Sequence, residues 1–123
     1  MVPDIAIIEL VEKVNMTTTI QPVCLPKNGE ELPEGSKLYA TGWGAVERKN
    51  ATSQGDSGGP AVHKADGKWT VHGITSTGPT PCQSSSAPQG FVKVSAYIKD
   101  FIEPYMEPSN GPEERGKLCQ YFS

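Results

Sequence analysis

An all-β fold closed by one helix is what this sequence predicts. Three observations carry the prediction. Short runs alternate apolar and polar residues, as in Leu38, Ala40 and Gly42 against Lys37, Tyr39 and Thr41. Asp66-Gly67 stands between two such runs as a hairpin turn. Near the end the apolar spacing becomes helical, at Ile98, Phe101 and Ile102.

Taken in order, Asp4-Ile5-Ala6-Ile7-Ile8-Glu9-Leu10 is rich in Ile and Leu, as a buried strand would be. Residues 12–32 carry Asn15, three threonines, Pro22, Pro26, Asn28 and Gly29, the composition of an irregular connector. Residues 36–44 read as a strand, with Trp43 as a core anchor. A polar stretch, residues 45–53, leads to Gln54-Gly55-Asp56-Ser57-Gly58-Gly59-Pro60. Ala61 and Val62 continue from it as a strand, the turn at 65–68 reverses the chain, and Trp69 to Ser76 return. In the returning strand Trp69, Val71, Gly73 and Thr75 point one way and Thr70, His72, Ile74 and Ser76 the other. A loop rich in Pro, Ser and Thr spans 77–88, and Phe91 to Val94 form a short strand. Ser95 is placed to N-cap a helix over 96–103, which Pro104 ends or bends. The tail from Pro108 is charged and contains Pro and Gly, so mobility is expected of it.

The 123 residues are the size of one domain. Net charge is −3, with acids and bases dispersed, which argues against a nucleic acid or an anionic membrane as partner. No apolar run approaches the length of a membrane span. Met1-Val2-Pro3-Asp4 has neither the basic region nor the apolar stretch of an export signal. Asn15-Met16-Thr17 and Asn50-Ala51-Thr52 are nevertheless glycosylation sequons. Cys24, Cys82 and Cys119 make an odd count, so at least one thiol is unpaired or paired between chains. Cys119 is one candidate partner for Cys24.

The stretch from Gln54 to Pro60 carries the chemistry. Glycines on both sides of Ser57 permit torsions that a side chain forbids. Such a turn can expose a hydroxyl and aim successive backbone N–H groups at one point, as a serine nucleophile with an oxyanion hole requires. The same residue types also make ordinary surface turns. The surroundings discriminate. Residues 4–10, Gln21-Pro22-Val23-Cys24-Leu25-Pro26, Thr41-Gly42-Trp43-Gly44, residues 54–60 and Pro88-Gln89-Gly90-Phe91-Val92-Lys93-Val94 follow one another in a familiar order, and a helix-like end over 96–106 follows them. In these pieces the chain resembles the chymotrypsin-like (trypsin family) serine proteases over residues 4 to 106.

The resemblance implies a partial trypsin-like double β-barrel with a C-terminal α-helix, two strands of the second barrel being absent between Gly44 and Gln54. Residues 1–33 would be the end of the first barrel and the inter-barrel connector. Residues 34–106 would be the truncated second barrel with its helix, and 107–123 a mobile tail. By resemblance Ser57 matches the nucleophile, Asp4 the orienting carboxylate, and the backbone N–H groups of Gly55 and Ser57 the oxyanion hole. Asp56 matches the residue that pairs with a newly released amino terminus, and no Ile-Val-Gly-Gly-type segment is present to supply one. Ala51 falls at the base of the specificity pocket and cannot select Lys or Arg by charge. Gln54 and the segment Ser76-Thr77-Gly78 match further substrate-binding positions, and Gln89 stands where a glycine is expected. Leu38 and His63 occupy the places of two cysteines that are bonded to each other in the family. Ser53 replaces the usual partner of Cys82.

The family's base, a histidine in a Thr-Ala-Ala-His-Cys-type segment before Asp4, is not among these residues. His63 lies six residues past Ser57 on an outgoing strand and His72 sits mid-strand in the return, so both read as structural or surface histidines. The resemblance therefore implies an endopeptidase family member whose present chain is incomplete or inactive, secreted by family habit, and acting on a polypeptide substrate. The alternative is a non-catalytic homologue that binds proteases or inhibitors as a decoy. A degenerate fragment that scarcely folds, with exposed strand edges, is the third option. No motif calls for a metal or an organic cofactor.

Overall fold

The computed structural model describes residues 4–43, 57–76, 90–106 and 119. Gln54, Gly55, Asp56, Ala51, Ser53, Thr77, Gly78, Cys82 and Gln89 lie outside the described residues, as does the 107–123 tail apart from Cys119. Four strands form one antiparallel sheet in the order of the chain: β1 (Tyr39–Ala40), β2 (Pro60–Ala65), β3 (Lys68–Thr75) and β4 (Phe91–Lys93). The hairpin β2–β3 is its centre. Asp66 and Gly67 both adopt positive φ, 53° and 78°, the pair of torsions whose twist matches that of the flanking strands. This is the turn that Asp-Gly predicts.

The register of the hairpin shifts once. Ala61 pairs with Gly73 but Val62 pairs with Val71, so His72 is an extra residue on β3. A bulge of this kind bends a strand and re-aims a side chain. Cys24 extends the sheet on the other edge of β3: its N–H donates to the Trp69 carbonyl and its carbonyl accepts from Val71 N–H, both at 3.0 Å. The connector predicted over 12–32 is thus anchored to the central strand. A disulfide from Cys24 to Cys119 fastens the far end of the chain to the same point, with Cα atoms 5.1 Å apart.

The C-terminal helical segment is present but differs from the expected helix in type and start. It runs through a 3₁₀ turn at Val94–Tyr97, a π-helical turn at Ile98–Ile102 and a second 3₁₀ turn at Glu103–Tyr105. Ser95 does not cap it. Its hydroxyl donates to the Glu30 carbonyl at 2.9 Å, and its own carbonyl accepts from Gly29 N–H at 2.8 Å. The connector has captured the hydroxyl that a cap would use, so the helix starts earlier. Asn28 supplies its side-chain oxygen to Lys99 N–H at 3.1 Å, and Lys93 pairs with Glu31. Pro104 sits in the first residues of the last turn, where its missing N–H costs nothing.

The core is small. Cys24, Ala61, Val94 and Ile98 are the buried apolar residues among those described, with Thr75 and Ser95 buried beside them. Two sequence expectations fail here. Residues 4–10 form no strand, and Ile8 and Leu10 are exposed. Their backbone finds no ladder partner among the described residues, and composition alone does not make a strand. Trp43 is fully exposed instead of anchoring a core, and the strand expected over 36–44 shrinks to Tyr39–Ala40. Trp69, exposed in part, meets Tyr39 edge-on at 5.4 Å, and the ammonium groups of Lys64 and Lys37 lie over these two rings.

Candidate active site

The turn at Ser57-Gly58-Gly59 is tied to the end of β3. Gly58 N–H donates to the Thr75 carbonyl at 2.7 Å, and Thr75 N–H donates to the Gly59 carbonyl at 2.9 Å. Gly58 has φ 87° with open space where a Cβ would go, so the torsion rather than crowding requires glycine there. The turn presents Ser57 beside Ser76, the first residue after β3. Ser76 N–H in turn donates to the Gly90 carbonyl at 2.9 Å, which fixes Ser76 from the β4 side.

Ser76 joins the two residues that the sequence nominates for catalysis. The Ser57 hydroxyl donates to the Ser76 carbonyl at 2.9 Å, and the Ser76 hydroxyl donates to Asp4 Oδ2 at 2.5 Å. Ser57 and Asp4, distant in the chain, are thereby held by one intervening residue that itself lies 72 positions from Asp4. A hydroxyl donating to a carboxylate makes a short, charge-assisted bond, and it orients Asp4. An open cavity of about 540 Å³ lies between these groups, lined by Asp4, Ile5, Ala6, Ile8, Ser57, Gly58, Ile74, Thr75 and Ser76. One wall offers a carboxylate, another a hydroxyl, and the remainder is mainly aliphatic. The structure thus brings Ser57, Asp4 and Ser76 together. The joining role of Ser76 carried no local signal in the sequence.

The two histidines are elsewhere. His63, on β2, donates from Nδ1 to the Lys37 carbonyl at 2.8 Å. It therefore ties β2 to the residue beside Leu38, between the two places where the resemblance sets a disulfide. His72, at the bulge, turns its Nε2 toward Glu30 Oε2 at 3.8 Å and packs edge-on against His63 with ring centroids 6.1 Å apart. Neither lines the cavity of Asp4 and Ser57. Among the described residues no three His, Cys, Asp or Glu side chains converge to hold a metal ion.

His72 gives a pH prediction. Its side chain is 10% exposed, and burial lowers its pKa below the ordinary 6.5; Glu30 opposes that shift and His63 adds to it. The neutral ring is the one the fold accepts. The unfolded chain binds this proton first, so stability is whole above about pH 6.5 and falls as pH drops through the lowered folded-state value. His72→Gln is expected to flatten the slope of unfolding free energy between pH 7 and pH 5, measured by urea denaturation. An unchanged slope would show that His72 does not carry it.

The family model described as Trypsin matches residues 2–54 and again residues 45–102. The chain is similar to chymotrypsin-C of Rattus norvegicus, 32% identical over 138 residues that take in 76% of this chain and 52% of that protein. Chymotrypsin-like elastase family member 1 of Canis lupus familiaris is 30% identical over 138 residues, 77% of this chain and 54% of its own. Chymotrypsin-C of Bos taurus is 32% identical over 148 residues, covering 85% and 55%. Each aligned length exceeds the 123 residues of the chain, so these relatives carry internal residues without a counterpart here. The chain spans about half the length of the curated relatives it matches. With the family model matched over most of its length and a sheet whose end gathers Ser57, Ser76 and Asp4, the chain belongs to the trypsin family of serine proteases.

Proposed function

We propose that Ser57 is the nucleophile of a serine-type acyl-transfer site, oriented with Asp4 through Ser76, and that these 123 residues alone do not turn over peptides. One observation carries the reading: the Ser57 hydroxyl and the Asp4 carboxylate meet at the two polar groups of Ser76. Acyl transfer needs a base for the Ser57 proton. The carbonyl that now accepts the hydroxyl is far too weak a base to take it, and both histidines are engaged on another part of the sheet. Loss of a triad member costs about 10⁴ to 10⁶ in kcat in enzymes of this mechanism.

In this reading the backbone N–H groups of Gly55 and Ser57 stabilise the oxyanion. Ala51, Gln54 and the segment 76–78 contact a polypeptide substrate. Asp56 supports the turn. An extracellular setting follows from the family and is supported by the Cys24–Cys119 disulfide, since such bonds persist in oxidising compartments. Among the described residues no helix is long and apolar enough to cross a membrane.

A fluorophosphonate probe tests the nucleophile, because it reads a single covalent step at the serine, slow without a base, and does not require turnover. The purified chain is expected to label slowly and stoichiometrically at Ser57, located by mass spectrometry, while Ser57→Ala stays unlabelled. A wild-type chain that remains unlabelled would instead favour the non-catalytic reading, a module that binds proteases or their inhibitors.

A further inference from the structure

Residues 9–20 are exposed without a break, and none of them lines the cavity of Asp4 and Ser57. They hold a polar motif inside an apolar surface. Asn15-Met16-Thr17 is a glycosylation sequon, and all three of its residues are exposed. A glycan is bulky and hydrated, so it can stay only where the fold leaves its asparagine outside. The fold does so here. Residues 13–17 belong to neither helix nor strand. The chain then turns: Thr17 Oγ1 accepts from the N–H groups of Thr19 and Ile20 at 3.2 and 3.1 Å, and Thr17 N–H donates to the Ile20 carbonyl at 3.0 Å. Asn15 stands before this turn, and no described group bonds its side-chain amide. Around it the surface is aliphatic. Leu10, Val11, Val14, Met16 and Ile20 are all exposed, Val11 completely so. They lie within five positions of Asn15, at most about 18 Å along the chain. An apolar stretch of this kind left bare to water invites association.

We propose that Asn15 carries an N-linked glycan and that the glycan covers this apolar stretch. The proposal rests on the extracellular reading of the chain, because the modification belongs to the export route that also forms disulfides. In the transfer, Asn15 Nδ2 forms a bond to the anomeric carbon of an oligosaccharide carried on a lipid pyrophosphate, the co-reactant. The bond from that carbon to the pyrophosphate oxygen breaks, and its electron pair leaves with the pyrophosphate. One Nδ2 proton passes to a base of the transferring enzyme. Nothing is oxidised or reduced. Sugar rings carry hydroxyl groups and C–H faces together, so they can lie on aliphatic side chains and remain hydrated. The second sequon, at Asn50, lies outside the described residues and has no part in the proposal.

Peptide mapping tests the site. The full chain is expressed behind a secretory leader in a eukaryotic cell, purified and read by mass spectrometry. The wild-type Asn15 peptide is expected to carry a glycan, which peptide N-glycosidase removes completely, leaving aspartate at that position. Asn15→Gln and Thr17→Ala are expected to lose the modification, and Thr17→Ser, which keeps the sequon, to retain it. The Cys24–Cys119 bond is read in the same preparation, because it reports passage through an oxidising compartment. Unmodified Asn15 beside a formed disulfide would overturn the glycan and leave the extracellular reading standing. Unmodified Asn15 with both cysteines reduced would overturn the two together. The covering role has its own readout. Removing the glycan from the folded chain is expected to raise the fluorescence of a dye that binds apolar surface and to bring on association in light scattering. Unchanged dye binding after removal would overturn the covering role and keep the site.

Discussion

Cys24→Ser is expected to lower the unfolding free energy by about 4 to 5 kcal/mol, the largest single effect of any substitution outside the site. The bond closes a loop over a sequence separation of 95 residues, so cutting it restores a great deal of freedom to the unfolded chain. It also frees the backbone that Cys24 pairs with Trp69 and Val71 along the edge of β3. A loss of this size matches the whole stability of many small domains. Cys119→Ser should lose as much, and the double variant no more than either, because all three break the same bond. Urea denaturation of the three variants and of the reduced wild-type chain measures this. A single variant within 1 kcal/mol of wild type would show that the disulfide is incidental to the fold.

The second large effect is expected at Ile98. It is 2% exposed and sits in the first position of the π-helical turn, where the C-terminal segment meets the core. Ile98→Ala removes three carbons from a core with few buried apolar members, and should cost about 2 to 5 kcal/mol. Ile98→Val keeps the branch and should cost about 0.5 to 1.5 kcal/mol. The pair keeps the prediction testable if the alanine variant fails to fold: a broad or missing thermal transition for alanine with a sharp one for valine supports the packing role. Equal midpoints for both variants and wild type would contradict it. Gly29, Glu30 and Asn28 hold the same segment through Ser95 and Lys99, so its docking is shared between the buried side chains of Val94 and Ile98 and several hydrogen bonds.

The turn and the hairpin that frame the candidate site could be read from the sequence because their signals are local. The glycines around Ser57 announced a turn with positive φ, and Gly58 adopts it. Asp66-Gly67 announced the hairpin that carries Ser57 and Ser76 to the same end of the sheet. What failed depended on partners distant in the chain. Trp43 and the apolar run 5–10 were expected to be buried because of what they are, yet burial is decided by what packs on them. Ser95 has the residue type of a cap, but a carbonyl 65 positions earlier claims its hydroxyl. The bulge that turns His72 toward Glu30 follows from a register shift that alternation cannot reveal. Spacing could not give the pairing of Cys24 with Cys119, since three cysteines permit several connectivities.

Peptide turnover decides the matter most directly. The wild-type chain and Ser57→Ala, each purified free of contaminating proteases, are compared on histidine-free peptide substrates by product release over many enzyme equivalents. The arrangement of Ser57, Ser76 and Asp4, with both histidines bonded elsewhere on the sheet, predicts the same background rate for the two proteins. Repeated cleavage by the wild-type chain that disappears in Ser57→Ala would contradict it, since a base would then be acting from within these residues.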